Sequence, residues 1–581
     1  MFRLLAAVSV LAMTSGCVTS PPAQVAAINT SRQSATVYDM LIRGGTIYDG
    51  SGRTPYVGDV GIRGDRIVYA GPTREASARR LIDASGLAVA PGFINMLSWS
   101  NESLLVDPRG QSELRQGVTT EVMGEGWSMG PLNDDMKALS IKRQGDIKYP
   151  IRWTTLGEYL NFLEHKGTAM NIASFVGATT IRQHELGERA VDPNPAQLQS
   201  MRALVRQAME EGAMGVGSSL IYPPATFAKT DELVALVSEA GKCGGMYISH
   251  MRSEGDRLLE SVDELIDIAK RSGAPAEIYH LKQAGRANWN KLGQVITHVE
   301  VARAKGLRIT ADMYTYTAGG TGVAASMPPW IQDGGNEAML ERLKDPAIVA
   351  RVKREMLKPG TNWENLYYHA GPDGIRLASV TKPSLKPLIG KTFAEIAKLR
   401  RVSPEQAVID VTIADQGRAG AIYFLMGEDN VRTQTAIPWM SFGSDAEASA
   451  PEGVFLKSST HPRAYGNFAR FLGKYVRDKK TTTLAEAVRR LTALPATNLG
   501  IRDRGRLAPG LAADVVVFDP TTIADHATYE KPMQYATGVR DVFVNGTQVL
   551  MGGEPTGATP GRFVKGPGWT GWPGGGSCQK R

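Results

Sequence analysis

Short apolar runs that end in Gly or a polar residue alternate along most of the chain with segments of helical periodicity. The runs lie within LAVAPGFINM, GVTTEVMG, NIASFVGATT, AMGVGSSL, GGMYISHM, AEIYHLK, LRITADMYTY and IPWMSFGSDA, eight in all. Between several of them, PAQLQSMRALVRQAMEEG, TDELVALVSEAG and RLLESVDELIDIAKRSG place apolar residues at helical spacing. Buried strands alternating with helices predict a parallel sheet, and eight such units predict an α/β fold with a closed (β/α)8 barrel of the TIM type over residues 91–499. The stretch from about 320 to 435 is too long for a crossover connection, so an inserted subdomain is expected before the last barrel strand.

The two ends of the chain carry a different pattern. YDMLIRGGTIYDG and GDVGIRGDRIVYAGP are short alternating segments broken by Gly and Asp, and ADVVVFDP and VRDVFVNGTQVLMGG repeat the style near the C-terminus. They predict one small β-sandwich domain built from residues 38–90 and 500–564, with the barrel inserted between its halves. Residues 565–581, rich in Gly and Pro, are expected to form a loop or tail.

Composition narrows the function classes. Of 581 residues, 42% are hydrophobic and 21% charged, which excludes a disordered or coiled-coil protein. The net charge of +8, from 66 basic and 58 acidic residues, is thin for this length and has no run of five basic residues, so no nucleic-acid partner is expected. Three cysteines, Cys17, Cys243 and Cys578, are too few and too scattered for a disulfide framework. Cys17 has another reading. Arg3, an apolar run from Leu4 to Met13 and the small residues Ser15 and Gly16 form a secretory signal over residues 1–17. That run is too short to span a bilayer. Thr14-Ser15-Gly16-Cys17 resembles a bacterial lipobox, although Thr14 stands where Leu is usual. The expectation is an exported lipoprotein facing the periplasm, held to the membrane only through a lipid on Cys17 and a linker over 18–37, with plain secretion as the alternative.

In TIM barrels the site lies at the C-terminal ends of the strands. Those ends here carry Glu125, His250, His280, Lys282, Asp312, Tyr314 and Asp445. The chain has only eight His, and two of them fall at strand ends whose neighbours also present ionisable groups. A single His there is more often a buried structural residue. Two imidazoles from adjacent strands plus a carboxylate, however, can supply the three protein ligands of a catalytic Zn²⁺. Asp445 is then a candidate for the proton transfer.

Taken together, the shared terminal β domain, APGFI, QGVTTEV, IYPPATFAKTDELVAL, SHMRSEG, YHLK, ADMYTY, GSD, HPRAYGNFARFLG and RGRLAPGLAADVVVFDP resemble the D-aminoacylase (N-acyl-D-amino-acid deacylase) branch of the amidohydrolase superfamily, from about Tyr38 to Val564. The resemblance implies a hydrolase of the amide bond of N-acyl-D-amino acids or related small acyl-amino acids and peptides, using a metal-bound water. By position, His250 and His280 correspond to metal ligands, Asp445 to the catalytic aspartate, and Lys282, Tyr314 and Arg463 to contacts with the carboxylate of a small-molecule substrate. The competing expectations are a structural ion pair for Lys282 or Arg463 and ordinary packing for Tyr314.

Two departures stand out. Where the family carries His-x-His after the first strand, this chain has Leu97 and Trp99, neither of which binds a metal. These substitutions are expected either to reshape the pocket for an apolar acyl group or to mark a degenerate enzyme. The family's Cys ligand is also missing, and Glu125 lies within one residue of its position. The expected centre is therefore mononuclear, one Zn²⁺ per chain on Glu125, His250 and His280, the alternative for Glu125 being a carboxylate that caps a turn. Two other readings stay open. One is a catalytically degenerate barrel serving as an extracytoplasmic binding or scaffold protein. The other is a serine hydrolase using Ser128, since Gly126-Trp127-Ser128-Met129-Gly130 matches Gly-x-Ser-x-Gly and Asp445 and His461 follow in order.

Overall fold

A computed structural model of the chain describes residues 37–579. The signal, Cys17 and nearly all of the linker lie outside the described residues. Eight parallel strands form the barrel: Phe93–Asn95, Val118–Met123, Asn171–Ser174 (continuing as Val176–Gly177), Gly215–Ser219, Met246–His250, Ala276–Ile278, Ile309–Met313 and Met440–Phe442. The ring closes just past the first and last strands, where Asp445 N donates to Leu97 O at 2.8 Å and Ser98 bridges Ala446 in parallel.

The helical segments fall where their periodicity places them. Helix Pro195–Glu211 begins with a capping box between Asn194 and Gln197, has Pro at its first position, and ends on left-handed Gly212. It buries Met201, Val205, Ala208 and Met209 against the strands. Thr230–Lys242 and Leu258–Ser272 bury the equivalent faces.

The terminal strands depart from the expected two-sheet sandwich. Val37–Ile47, Tyr56–Arg63, Arg66–Pro72, Ser77–Asp83 and Ala88–Pro91 join Val515–Phe518, Val539–Val544, Thr547–Met551 and Glu554–Pro555 in a single nine-stranded sheet. The cause is the first strand, whose register shifts between Ile42 and Gly45 so that it pairs with three partners. Ala88–Pro91 then pairs antiparallel with Val515–Phe518 and fuses the two ends of the chain around Ile42, Val60, Val89, Val515 and Phe543.

Between the seventh and eighth barrel strands, Ala318–Gly322, Ile375–Ser379 and Gly420–Phe424 make a separate antiparallel sheet with Gly420–Phe424 at its centre. Helices pack on it around Val323, Ile331, Val352, Phe393 and Val408.

The C-terminal segment is not a free tail, and the cysteines are not all unpaired. Gly566 and Thr570 donate backbone hydrogen bonds to Gly212 O and Glu210 O, and Cys578 is bonded to Cys243 at the end of helix Thr230–Lys242. The two cysteines are 335 residues apart, which is why no spacing motif announces them. Bridges that close long loops stabilise a fold by about 2–5 kcal/mol.

Candidate metal centre

The barrel mouth opens into a cavity of about 620 Å³, in the range of small-molecule sites. Each candidate side chain reaches it through a local device. Glu125 sits in the turn Gly124-Glu125-Gly126, both glycines having positive φ; a Cβ on Gly124 would stand 2.3 Å from Phe175 O, and one on Gly126 2.0 Å from Ser219 Oγ. His250 ends the fifth strand. His280, at φ 35°, has its N–H held by Asp312 Oδ1 at 2.8 Å. Asp445, at φ 51°, follows Ser444, whose N–H donates to Asn95 Oδ1 at 2.9 Å. Two non-glycine residues in the left-handed region beside one cavity mark strain held for function.

Glu125, His250 and His280 are buried and offer ligand atoms all within 4.8 Å of one another. His250 Nδ1 and His280 Nε2 each lie 3.0 Å from Glu125 Oε1. Donors around one tetrahedral zinc stand roughly 3.3 Å apart, so the set fits such an ion with little movement. Behind it lies a residue that sequence reasoning missed, Glu254. Its Oε1 is 3.1 Å from His280 Nδ1, and its Oε2 is 3.4 Å from His250 Nε2 without hydrogen-bond geometry, so one carboxylate faces the outer nitrogens of both rings. Such partners fix ring orientation and tautomer at metal sites. The available signal was its place four residues after His250 in SHMRSEG.

Burial works to raise the Glu125 carboxyl, but His280 and His250 outweigh it and hold the group well below the usual carboxylate range. His280 is drawn down by burial and by Lys282, yet Glu254 and Glu125 prevail and hold it up to about 10. A ring so strongly favoured in its cationic form sits where positive charge is wanted. Asp445 is raised by burial, against the pull of Arg463. Asp312 is also raised well above its ordinary value by burial, and its Oδ1 accepts the His280 backbone N–H.

Lys282, Tyr314 and Arg463 all line the cavity. Lys282 Nζ donates to Glu254 Oε1 at 2.7 Å. It also lies 2.7 Å from His280 Nδ1; with Nε2 turned to a metal, that nitrogen carries the proton, which makes the carboxylate and not the ammonium its partner. The structural ion pair expected as an alternative for Lys282 is thus present. Arg463 Nη1 stands 2.7 Å from Asp445 Oδ2, in ionic contact without hydrogen-bond geometry. Its Nε and Nη1, and the Tyr314 hydroxyl, are buried with no hydrogen-bond partner, and the guanidinium carbon lies 4.5 Å from the Tyr314 ring centroid. Buried orphan donors of this kind point to a ligand.

The strand-one departures behave differently from one another. Leu97 is buried in the core with Ile94, Val122 and Phe175 and does not reach the cavity. Trp99 does reach it, and its indole N–H donates to Asp445 Oδ1 at 3.0 Å and Glu125 Oε2 at 3.2 Å. Tyr222, another unforeseen residue, lies edge-on to His250 with ring centroids 5.3 Å apart. The serine reading fails. Ser128 Oγ donates to Gly130 O at 2.6 Å, accepts from Gly177 N, and is not among the residues lining the cavity. His461 is occupied by Ala318 O and by the N–H of Arg463.

Residues 80–550 match the model of an amidohydrolase family. The chain is 32% identical to the D-aminoacylase of Alcaligenes xylosoxydans xylosoxydans over 537 residues, 92% of this chain and 99% of that one. It is also similar to the crystal structure of N-acyl-D-glutamate deacylase from Bordetella bronchiseptica, complexed with zinc and a phosphonate mimic of the tetrahedral intermediate (TM-score 0.75, 30% identity, 91% of this chain and 100% of that one). A D-aminoacylase structure with the same TM-score and 31% identity, covering 91% of this chain and 100% of that one, concerns a binuclear metal centre with one-metal activation and second-metal attenuation. The chain belongs to the amidohydrolase family, in its D-aminoacylase branch, and is a hydrolase of carbon–nitrogen bonds other than peptide bonds. These relatives give the scaffold expectation no support.

Proposed function

We propose that this protein hydrolyses the amide bond of N-acyl-D-amino acids with neutral, apolar side chains, using one Zn²⁺ held by Glu125, His250 and His280. The observation that carries this reading is the joining, in one cavity, of that donor set, Asp445 and the orphaned donors of Arg463 and Tyr314. Zinc bound there would polarise the amide carbonyl and bring the pKa of a water molecule down to about 7. Asp445 takes the proton of the attacking water on its carboxylate and delivers it to the departing nitrogen. Arg463 and Tyr314 grip the substrate carboxylate by charge-assisted hydrogen bonds, with the two remaining Lys282 N–H donors beside them. Glu254 keeps both imidazoles turned inward.

The separate sheet after the seventh strand acts as the cover of this site. Its Gly319, Ala421 and Ile422, with Leu366 and Leu425 nearby, give the outer wall apolar surface beside the uncharged polar Thr321, Ser379 and Tyr423. Among the described residues lining the cavity, the Lys and Arg side chains are Lys282 and Arg463, both already facing carboxylates, and Glu447 adds a further acidic group. An acidic side chain on the substrate would therefore be buried without a counter-charge.

A panel of N-acyl-D- and L-amino acids, assayed with and without chelator, tests the reading. N-acyl-D derivatives of Leu, Met or Phe are expected to exceed those of D-Glu and D-Asp in kcat/KM by about 10²-fold or more. Equal rates for D and L forms, or full turnover in chelator, would remove it.

The protein is proposed to work outside the cytoplasm, as a periplasm-facing lipoprotein. The Cys243–Cys578 bond supports an oxidising compartment. No helix among the described residues is long and apolar enough to cross a membrane. Labelled palmitate is expected in the wild-type protein and absent from Cys17→Ser; equal labelling of the two sinks the anchor.

A further inference from the structure

Glu125 and Asp445 each divide their two oxygens in the same way. Glu125 turns Oε1 to the two imidazoles, and Asp445 turns Oδ2 to Arg463. The remaining oxygens, Oε2 and Oδ1, converge on a single donor, the indole Nε1 of Trp99, at 3.2 and 3.0 Å. Two buried carboxylates that face one point repel unless something positive sits between them. A divalent ion is one solution and an N–H is another. Indole Nε1 only donates, carries no charge and ligates no metal.

We propose that the Trp99 N–H takes the place of a second divalent cation, restricting this centre to one metal and fixing Asp445 for proton transfer. The proposal rests on the metal-centre reading above. A second ion would need both oxygens at about 2.0–2.2 Å, in the space that the indole edge fills.

The ring is also anchored from its own backbone, since Trp99 N donates to Ala446 O at 2.9 Å in the turn that carries Asp445. Trp99 is thus a positioning residue that joins the first strand, the Glu125 turn and the Asp445 turn.

The experiment is a zinc titration of the metal-stripped protein. Bound metal is counted by mass spectrometry after gel filtration, for the wild type, Trp99→His and Trp99→Ala, with thermal melts to confirm folding. Wild-type protein is expected to saturate at one zinc, and its turnover to stay flat in excess zinc. In the variants uptake should rise from about one to about two per chain, because the freed carboxylate oxygens, aided by imidazole in Trp99→His, become ligands. Turnover of those variants should then fall as the second zinc binds. Two tightly held zinc ions in the wild type, or no added zinc in either variant, overturns the inference and leaves the metal-centre reading standing. A wild type that takes up no zinc overturns both.

Discussion

Asp445→Asn is expected to lower kcat by about 10²–10⁴-fold, the usual worth of a positioned general acid–base group, while zinc content stays at the wild-type level. The substitution keeps the shape of the side chain. Its amide oxygen can still accept the Trp99 N–H, which Asp445 Oδ1 receives at 3.0 Å. What is lost is the ability to carry a proton. Metal binding should not change, since Asp445 is not among the three residues whose donor atoms converge. The pH profile of the wild type follows from the same carboxyl. A base works only when deprotonated, so activity holds above its pKa and is lost as the pH falls through it. Burial raises that pKa against the pull of Arg463. The acid limb of kcat/KM is therefore expected above the ordinary aspartate value of about 3.9. Steady-state rates paired with metal analysis check both points, and full activity in Asp445→Asn would end the mechanism.

His250→Ala and His280→Ala are expected to abolish both zinc and turnover. Each removes one of three donors, and each leaves Glu125 Oε1, which lies 3.0 Å from both rings, with half of its partners. Chelation should reproduce the loss in the wild type, and added zinc should reverse it there but not in the variants. Glu254→Gln should do less. It leaves all three ligands in place and weakens only their orientation, so zinc affinity is expected to fall by about 10–100-fold. Retention of one zinc per chain in His280→Ala would show that the metal lies elsewhere.

Much of this site was readable from local pattern. Apolar runs closed by a polar residue locate strand ends, and strand ends of a barrel face one cavity, so His250, His280, Lys282, Tyr314 and Asp445 are legible from the sequence as one group. Glu125 needed the resemblance as well, because nothing in a Gly-rich turn says which way its side chain points. Glu254 lies four residues after His250, but its role exists only in the fold, where two rings from adjacent strands share it.

Trp99 shows where such reading stops. From sequence it was a lost ligand, equivalent to Leu97. In the fold Leu97 is buried in the core, whereas Trp99 joins two carboxylates, one of them 346 positions away. The sequence by itself determined the order of strands and helices, the pairing of the chain's two ends in one β domain and most of the residues at the barrel mouth, because hydrophobic periodicity and turn chemistry act over a few neighbouring positions. The tertiary structure alone decided the single nine-stranded sheet, the Cys243–Cys578 bond, the shared Glu254 and the Trp99 bridge. Each of these depends on the register and rotamer with which distant segments meet, and no local spacing encodes either.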